Sequence, residues 1–154
     1  MNFSKAKRIY LDTNIYICLF NETPRFITKV KEVIKEIQKN KIEVLASALV
    51  WHELLSYSTI SNTEIALFKS FFSGYKKFKF KNVDTAIAEY AAKIRREYKT
   101  IRAPDAIHLA TALITDCDLF ISADRKLAIK EGKLQDMKLL VIENGTRMKK
   151  GILA

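Results

Sequence analysis

The chain has 154 residues and carries 27 Lys and Arg against 17 Asp and Glu, a formal charge of +10 at neutral pH. Hydrophobic residues make up 49%, with only four glycines and two prolines, which excludes a disordered tail, a collagen-like repeat and a linker-rich chain. This length suits one globular domain that buries about two-thirds of its unfolded surface, and the positive excess favours a polyanionic partner such as nucleic acid.

Arg8 to Leu11 is short, β-prone and closed by Asp12-Thr13-Asn14, which predicts a buried strand ending at a carboxylate. Thr13 or Asn14 is expected to cap a short helix through Phe20. Beyond Pro24, Ile27, Val30, Ile34 and Ile37 recur at helical spacing with Lys29, Lys31, Glu32, Lys35 and Glu36 facing elsewhere, an amphipathic helix ending near Asn40. Glu43 to Ser47 reads as a second strand, followed by a helix from about Ala48 to Ser58. Residues 62 to 74 form another helix, with Asn62 as the expected N-cap and Gly74 as the stop. Asp84 is expected to cap the next, where Ile87, Tyr90, Ala91, Ile94 and Tyr98 make one apolar stripe. Pro104 suits the first turn of a helix running through Ile114, because its missing N–H is not needed there. Asp118 to Ser122 and Leu139 to Ile142 are the remaining strands. Nearly continuous apolar strands alternating with helices predict a single α/β domain over residues 1–154, with a central, mostly parallel sheet of four or five strands and helices on both faces.

Cys18 and Cys117 lie in apolar runs with no C-x-x-C spacing. With only two histidines in the chain, both read as buried thiols of a reducing compartment rather than as a disulfide or a zinc site. Lys5, Lys7 and Arg8 ahead of Ile9 imitate the start of a signal peptide, but Asp12 and Asn14 interrupt the apolar stretch and no cleavage site follows. No run approaches the ~18 apolar residues of a membrane span. A cytoplasmic protein without a membrane partner is expected.

Most of the acids lie among lysines or polar residues, as solvated side chains do. Four differ. Asp12 ends the first strand, Glu53 sits inside Leu49-Val50-Trp51-His52-Glu53-Leu54-Leu55, Asp105 opens the helix after Pro104, and Asp124 follows Leu119-Phe120-Ile121-Ser122-Ala123. In a parallel sheet, ligands bind in the crevice outside the carboxyl ends of the strands, where Asp12 and Asp124 should both arrive. Asp105 falls in a first helical turn, whose positive end tolerates a carboxylate. Glu53 among Trp and Leu is costly unless paired. Taken singly, Asp12 and Asp124 also read as helix caps and Asp105 as a complement to its helix dipole. Gathered together, their mutual repulsion needs relief, and a hard divalent cation such as Mg²⁺ or Mn²⁺ supplies it.

Tyr10-Leu11-Asp12-Thr13-Asn14, His52-Glu53-Leu54, the run Pro104-Asp105-Ala106-Ile107-His108-Leu109-Ala110-Thr111-Ala112-Leu113, and Phe120-Ile121-Ser122-Ala123-Asp124 together resemble a PIN-domain nuclease, more closely the VapC-like toxin branch of that family. The resemblance runs from about Ile9 to Glu143. It implies a PIN-like domain, an acidic quartet of Asp12, Glu53, Asp105 and Asp124, Mg²⁺ or Mn²⁺ as cofactor, and cleavage of RNA phosphodiesters. Asp12 and Asp105 would hold the principal ion, with Glu53 and Asp124 completing a second site and Asn14 and Ser122 orienting the carboxylates. A toxin of a type II toxin–antitoxin pair would have a small antitoxin protein as partner and would form a homodimer. Ala123 departs from the pattern, since relatives often carry Asn there.

The basic residues admit further readings. Lys76, Lys77, Lys79 and Lys81 interleave with Phe78 and Phe80, either as phosphate contacts and base-stacking platforms or as an edge strand whose phenylalanines pack inward. Lys93, Arg95, Arg96, Lys99 and Arg102 precede Asp105 and are candidates to flank the cleft. His108 is expected to make a structural hydrogen bond, His52 to face away from Glu53, and Trp51 to be core or interface. Phe20 to Phe26 and Phe68, Phe71 and Phe72 are either interface or core. The competing classes are a non-catalytic RNA-binding module, a housekeeping RNA-processing PIN nuclease and a metal-dependent phosphatase. The last is disfavoured because Asp12-Thr13-Asn14 lacks a second carboxylate two residues on.

Overall fold

Successive side chains of a strand point to opposite faces, so a strand buried at every position is covered on both sides. Ile9, Tyr10 and Leu11 are at most 1% exposed, and all four residues of Leu119–Ser122 are buried. These two strands lie side by side at the centre of the sheet. The computed structural model describes residues 2–56, 58–127 and 132–142 and the backbone of 148–150. In chain order the elements are β1 (Arg8–Leu11), α1 (Thr13–Phe20), α2 (Ile27–Lys39), β2 (Glu43–Ser47), α3 (Ala48–Leu55), α4 (Asn62–Gly74), β3 (Phe78–Lys81), α5 (Thr85–Glu97), α6 (Ala103–Ile114), β4 (Leu119–Ser122), β5 (Lys133–Leu134), β6 (Met137–Ile142) and β7 (Met148–Lys150).

Five strands run parallel in the order β3-β2-β1-β4-β6. The short β5 and β7 add antiparallel to β6 on the side away from β4. This is the expected α/β architecture, extended by two short ribbons. Register is pinned at the start of β1, where Lys7 and Arg8 donate their backbone N–H groups to Asp118 Oδ2, at 2.6 and 3.0 Å. From β1 the chain moves outward to β2 and β3, then crosses through α5 and α6 to enter β4 on the other flank. The direction of winding therefore reverses between β1 and β4, and the carboxyl ends of these two strands open the crevice that such a reversal creates.

Cys18 and Cys117 are free and buried, as expected, and burial pushes the Cys117 thiol up to about 12. β3 is an edge strand. Phe78 turns inward against Phe72, whereas Phe80 remains 43% exposed beside Trp51. Lys79 pairs with Glu43 and Lys81 with Asp84. Phe72 is buried, and Phe20, Phe26, Phe68 and Phe71 pack partly buried on the core, so these aromatics are chiefly core.

The helix ends depart from the sequence expectations. The cap of α1 is Asp12, and Ser61 caps α4 through a capping box with Glu64. Gly74 is the last residue of α4, and extended backbone at Tyr75 ends it. α3 stops at Leu55 with Ser56 as its C-cap, short of the expected Ser58, and Tyr57 lies outside the described residues.

With few glycines, three helices close on left-handed non-glycine residues: Glu22 after α1 (φ 48°), Lys41 after α2 (φ 52°) and Asp116 after α6 (φ 54°). Each makes the paired bonds of a Schellman closure, for example Ile42 N–H to Ile37 O (3.0 Å) and Lys41 N–H to Gln38 O (3.2 Å). A side chain in this conformation is strained and glycine is not. Lys41→Gly, at an exposed position, is therefore expected to stabilise the fold by about 0.5–1 kcal/mol and to raise Tm by about 1–4 °C in a thermal melt.

Candidate active site

Asp12 leaves β1 with extended backbone and caps α1, its Oδ1 accepting from the Thr13 backbone N–H at 2.8 Å. Its other oxygen, Oδ2, accepts from Ser122 Oγ (2.7 Å) and Asn14 Nδ2 (3.0 Å). Asn14 also donates to Ser122 Oγ and accepts from the Ala123 backbone N–H through Oδ1, while Asp124 N–H donates to Ser122 Oγ. The ends of β1 and β4 are thus stitched together around one carboxylate. The backbone of residue 123 makes its contribution here, and Ala suffices for that. Burial holds the Asp12 carboxyl above the usual carboxylate range and Asp105 adds repulsion, with His108 and Ser122 offsetting part of it.

Glu53 reaches the same crevice from α3. Its Oε1 accepts from Thr13 Oγ1 at 2.9 Å and lies 2.5 Å from His108 Nε2. His108, on α6, is 1% exposed, and its Nδ1 is 2.7 Å from the Tyr10 hydroxyl. Tyr10 donates in turn to Ser47 Oγ and accepts from Ser47 N–H, both at 3.1 Å. A chain of buried polar groups therefore runs from the end of β2, across β1 and α6, to a carboxylate in the cleft. Burial works against charge on both partners, but the pairing prevails. Attraction and hydrogen bonding from His108 bring Glu53 below the ordinary glutamate value, and Glu53, Asp12 and Asp105 raise His108 above the ordinary histidine value. His108 is in hydrogen-bonding position as the sequence suggested, though its partners were not foreseeable.

Asp105 enters from the first turn of α6, after Pro104. Asp124 follows β4, and its Oδ1 also accepts from Lys126 N–H, so it caps its own turn while its Oδ2 faces Arg102. The cleft has a volume of about 470 Å³ and is lined by Asp12, Thr13, Asn14, Ile17, His52, Glu53, Ser56, Arg102, Asp105 and Asp124. All four acids singled out from the sequence meet there. His52 does too, against the expectation that it faces away: on the exposed end of α3 the side chain still reaches the rim. Thr13, Tyr10 and Ser47 join the site without being sequence candidates for it, whereas Arg102, a candidate to flank the cleft, does line it. Only Arg102 carried a signal, a cation three residues before Asp105 and so able to reach it. Of the other basic residues ahead of Asp105, none lines the cleft.

The donor set suits a hard cation, because carboxylate oxygens of like charge converge and Asp105 disfavours the charge on Asp12. Among the described residues no three Asp, Glu, His or Cys side chains close into a ready-made cage. The acids instead stand around an open cleft, with His108 beside one pair and Arg102 between the other.

An α/β sheet with carboxylates at its winding reversal defines a class of acidic-cleft proteins. Within it, the PIN domain family matches residues 9–133, and the chain belongs to that family of nucleases. No curated protein matches the sequence. Among solved structures, a toxin–antitoxin complex from Klebsiella pneumoniae shares 25% identity, with 77% of this chain and 88% of that chain covered at a TM-score of 0.57. VapBC2 from Rickettsia felis, bound to a DNA fragment from its promoter, shares 15% identity over 86% and 96% of the two chains (TM-score 0.62). FitAcB from Neisseria gonorrhoeae shares 21% over 77% and 88% (TM-score 0.55). The chain is therefore similar in fold to VapC-type members of toxin–antitoxin complexes.

Proposed function

We propose that the chain is a metal-dependent endoribonuclease, the toxin of a type II toxin–antitoxin pair. The observation that carries this reading is the convergence of Asp12, Glu53, Asp105 and Asp124 on one cleft at the winding reversal of the sheet. Asp12 and Asp105 would hold Mg²⁺ or Mn²⁺, and Glu53 and Asp124 would complete a second position. When bound, the ion lowers the pKa of water and stabilises charge on the phosphate. The chain's own residues prepare for this. Ser122 and Asn14 fix the rotamer of Asp12, Thr13 and His108 fix Glu53, and the stitched strand ends hold Asp12 and Asp124 at a constant spacing. The positive excess draws the polyanion toward the cleft.

Similarity to proteins of toxin–antitoxin complexes supports a small antitoxin as partner, and a homodimer is proposed as the assembly. The free, buried cysteines agree with a reducing cytoplasm, and no helix among the described residues is long and apolar enough to cross a membrane.

The test is cleavage of RNA oligonucleotides by the full chain with Mg²⁺, with Mn²⁺ and with EDTA. Metal-dependent products with the EDTA lane blank are expected. RNA binding without products in any lane would replace this reading with the non-catalytic RNA-binding module, and release of phosphate from small monoesters would point to a phosphatase. Growth arrest on expression distinguishes the toxin from a housekeeping RNA-processing nuclease.

A further inference from the structure

Arg102 occupies the N-cap position of α6, with extended backbone (φ −72°, ψ 159°) and its carbonyl accepting from Ala106 N–H, but it makes no side-chain capping bond. Local helix physics favours Ser, Thr, Asp or Asn at this position and disfavours a cation beside the positive end of the helix. The chain nonetheless places its longest cation there. The side chain folds back over the cleft. Its Nε donates to Asp105 Oδ2 at 3.0 Å and its Nη2 to Asp124 Oδ2 at 3.4 Å, joining acids that arrive from different elements. It remains 66% exposed, while Asp105 and Asp124 are 13% and 24% exposed. Exposed pairs of this kind are worth little and separate readily.

We propose that Arg102 is an exchangeable counter-ion of the cleft. It shares Asp105 and Asp124 with the two metal positions of the cleft, and when metal takes these carboxylates its guanidinium turns to an RNA phosphate beside the scissile bond. This rests on the metal-dependent nuclease reading. The physical basis is competition for the same oxygens: a divalent ion attracts Asp105 and Asp124 more strongly than a solvated guanidinium does, and Arg102 is anchored by its backbone at the cleft rim. Its planar fork then suits two phosphate oxygens at once. The role is distinct from that of His108, which is buried and held by fixed partners on both ring nitrogens.

The test separates metal affinity from RNA affinity. Mn²⁺ binding to the full chain is measured by calorimetry without RNA, and kcat and KM are measured on a single-stranded RNA oligonucleotide. Arg102→Gln is expected to bind Mn²⁺ about fivefold tighter, the loss of two exposed ion pairs, while its KM for RNA rises about tenfold. Arg102→Lys keeps the charge but not the fork. It should bind Mn²⁺ with affinity between the two and recover part of the KM, and it carries the same test if the glutamine variant fails to fold. Unchanged or weaker Mn²⁺ binding by the variants would overturn the competition, and an unchanged KM would overturn the phosphate contact. If the parent chain itself neither binds Mn²⁺ nor cleaves RNA, the nuclease reading fails first. If it does both and the Arg102 variants match it, only this proposal fails.

Discussion

Asp12→Asn is expected to reduce metal-supported RNA cleavage by about a thousandfold or more while changing stability only modestly, because relief of a buried charge offsets the loss of the Oδ2 acceptor for Ser122 and Asn14. Asparagine keeps the cap of α1, since its carbonyl oxygen still accepts from Thr13 N–H. It removes a charge that sits almost fully buried and repelled by Asp105. The sign of the pH dependence follows from the raised pKa. The folded chain holds the Asp12 proton more tightly than the unfolded chain, so this residue's contribution is present below its ordinary value of 3.8 and is lost as pH rises through the folded value. Above that window the parent carries a cost that the variant lacks. Single-turnover cleavage and thermal melts at neutral pH measure both halves. Full turnover by the variant would remove Asp12 from the site, and a large drop in its Tm would show that the carboxylate serves the fold instead.

His108→Ala is expected to cost about 3 kcal/mol of stability, because it opens a cavity and takes one buried partner each from the Tyr10 hydroxyl, which keeps only Ser47, and from Glu53. Cleavage should fall as well, since Glu53 is then held by Thr13 alone. His108→Gln retains a donor toward Glu53 and should recover part of both losses. In EDTA the pH profile identifies the pair. The raised His108 contributes stability that is complete below 6.5 and is lost as pH rises through its folded value. The lowered Glu53 contributes above 4.5 and loses that contribution as pH falls through its folded value. The difference in stability between the parent and His108→Gln should therefore be largest between about pH 4.5 and 6.5. A flat difference across that range would show that His108 acts through packing alone.

Much of this architecture is legible in the sequence because parallel strands covered on both faces must be apolar throughout. Ile9-Tyr10-Leu11 and Leu119-Phe120-Ile121 announce themselves, and the acids that end them stand out by contrast. β3 is only half legible, since at an edge one face stays wet and Phe-Lys-Phe-Lys fits both an exposed strand and a basic loop. The helix ends are poorly legible, because the chain uses Glu22, Lys41 and Asp116 where glycine would be the signal. Tyr10 reads as a core aromatic and is one, stacking on Phe120 at 5.2 Å; nothing local shows that its hydroxyl also reaches His108, 98 positions away.

The sequence by itself determined the alternation of strands and helices, the α/β class and the four carboxylates, because burial periodicity and misplaced charge are properties of neighbouring residues. Only the tertiary structure decided which groups meet those carboxylates. It placed β4 beside β1, so that Ser122 and Asn14 clasp Asp12, and it packed α6 against β2, so that His108 spans from Tyr10 to Glu53. It also folded Arg102 back between Asp105 and Asp124. Hydrogen bonds of 2.5–3.4 Å between residues tens of positions apart depend on where the elements dock, and docking is set by the whole core at once.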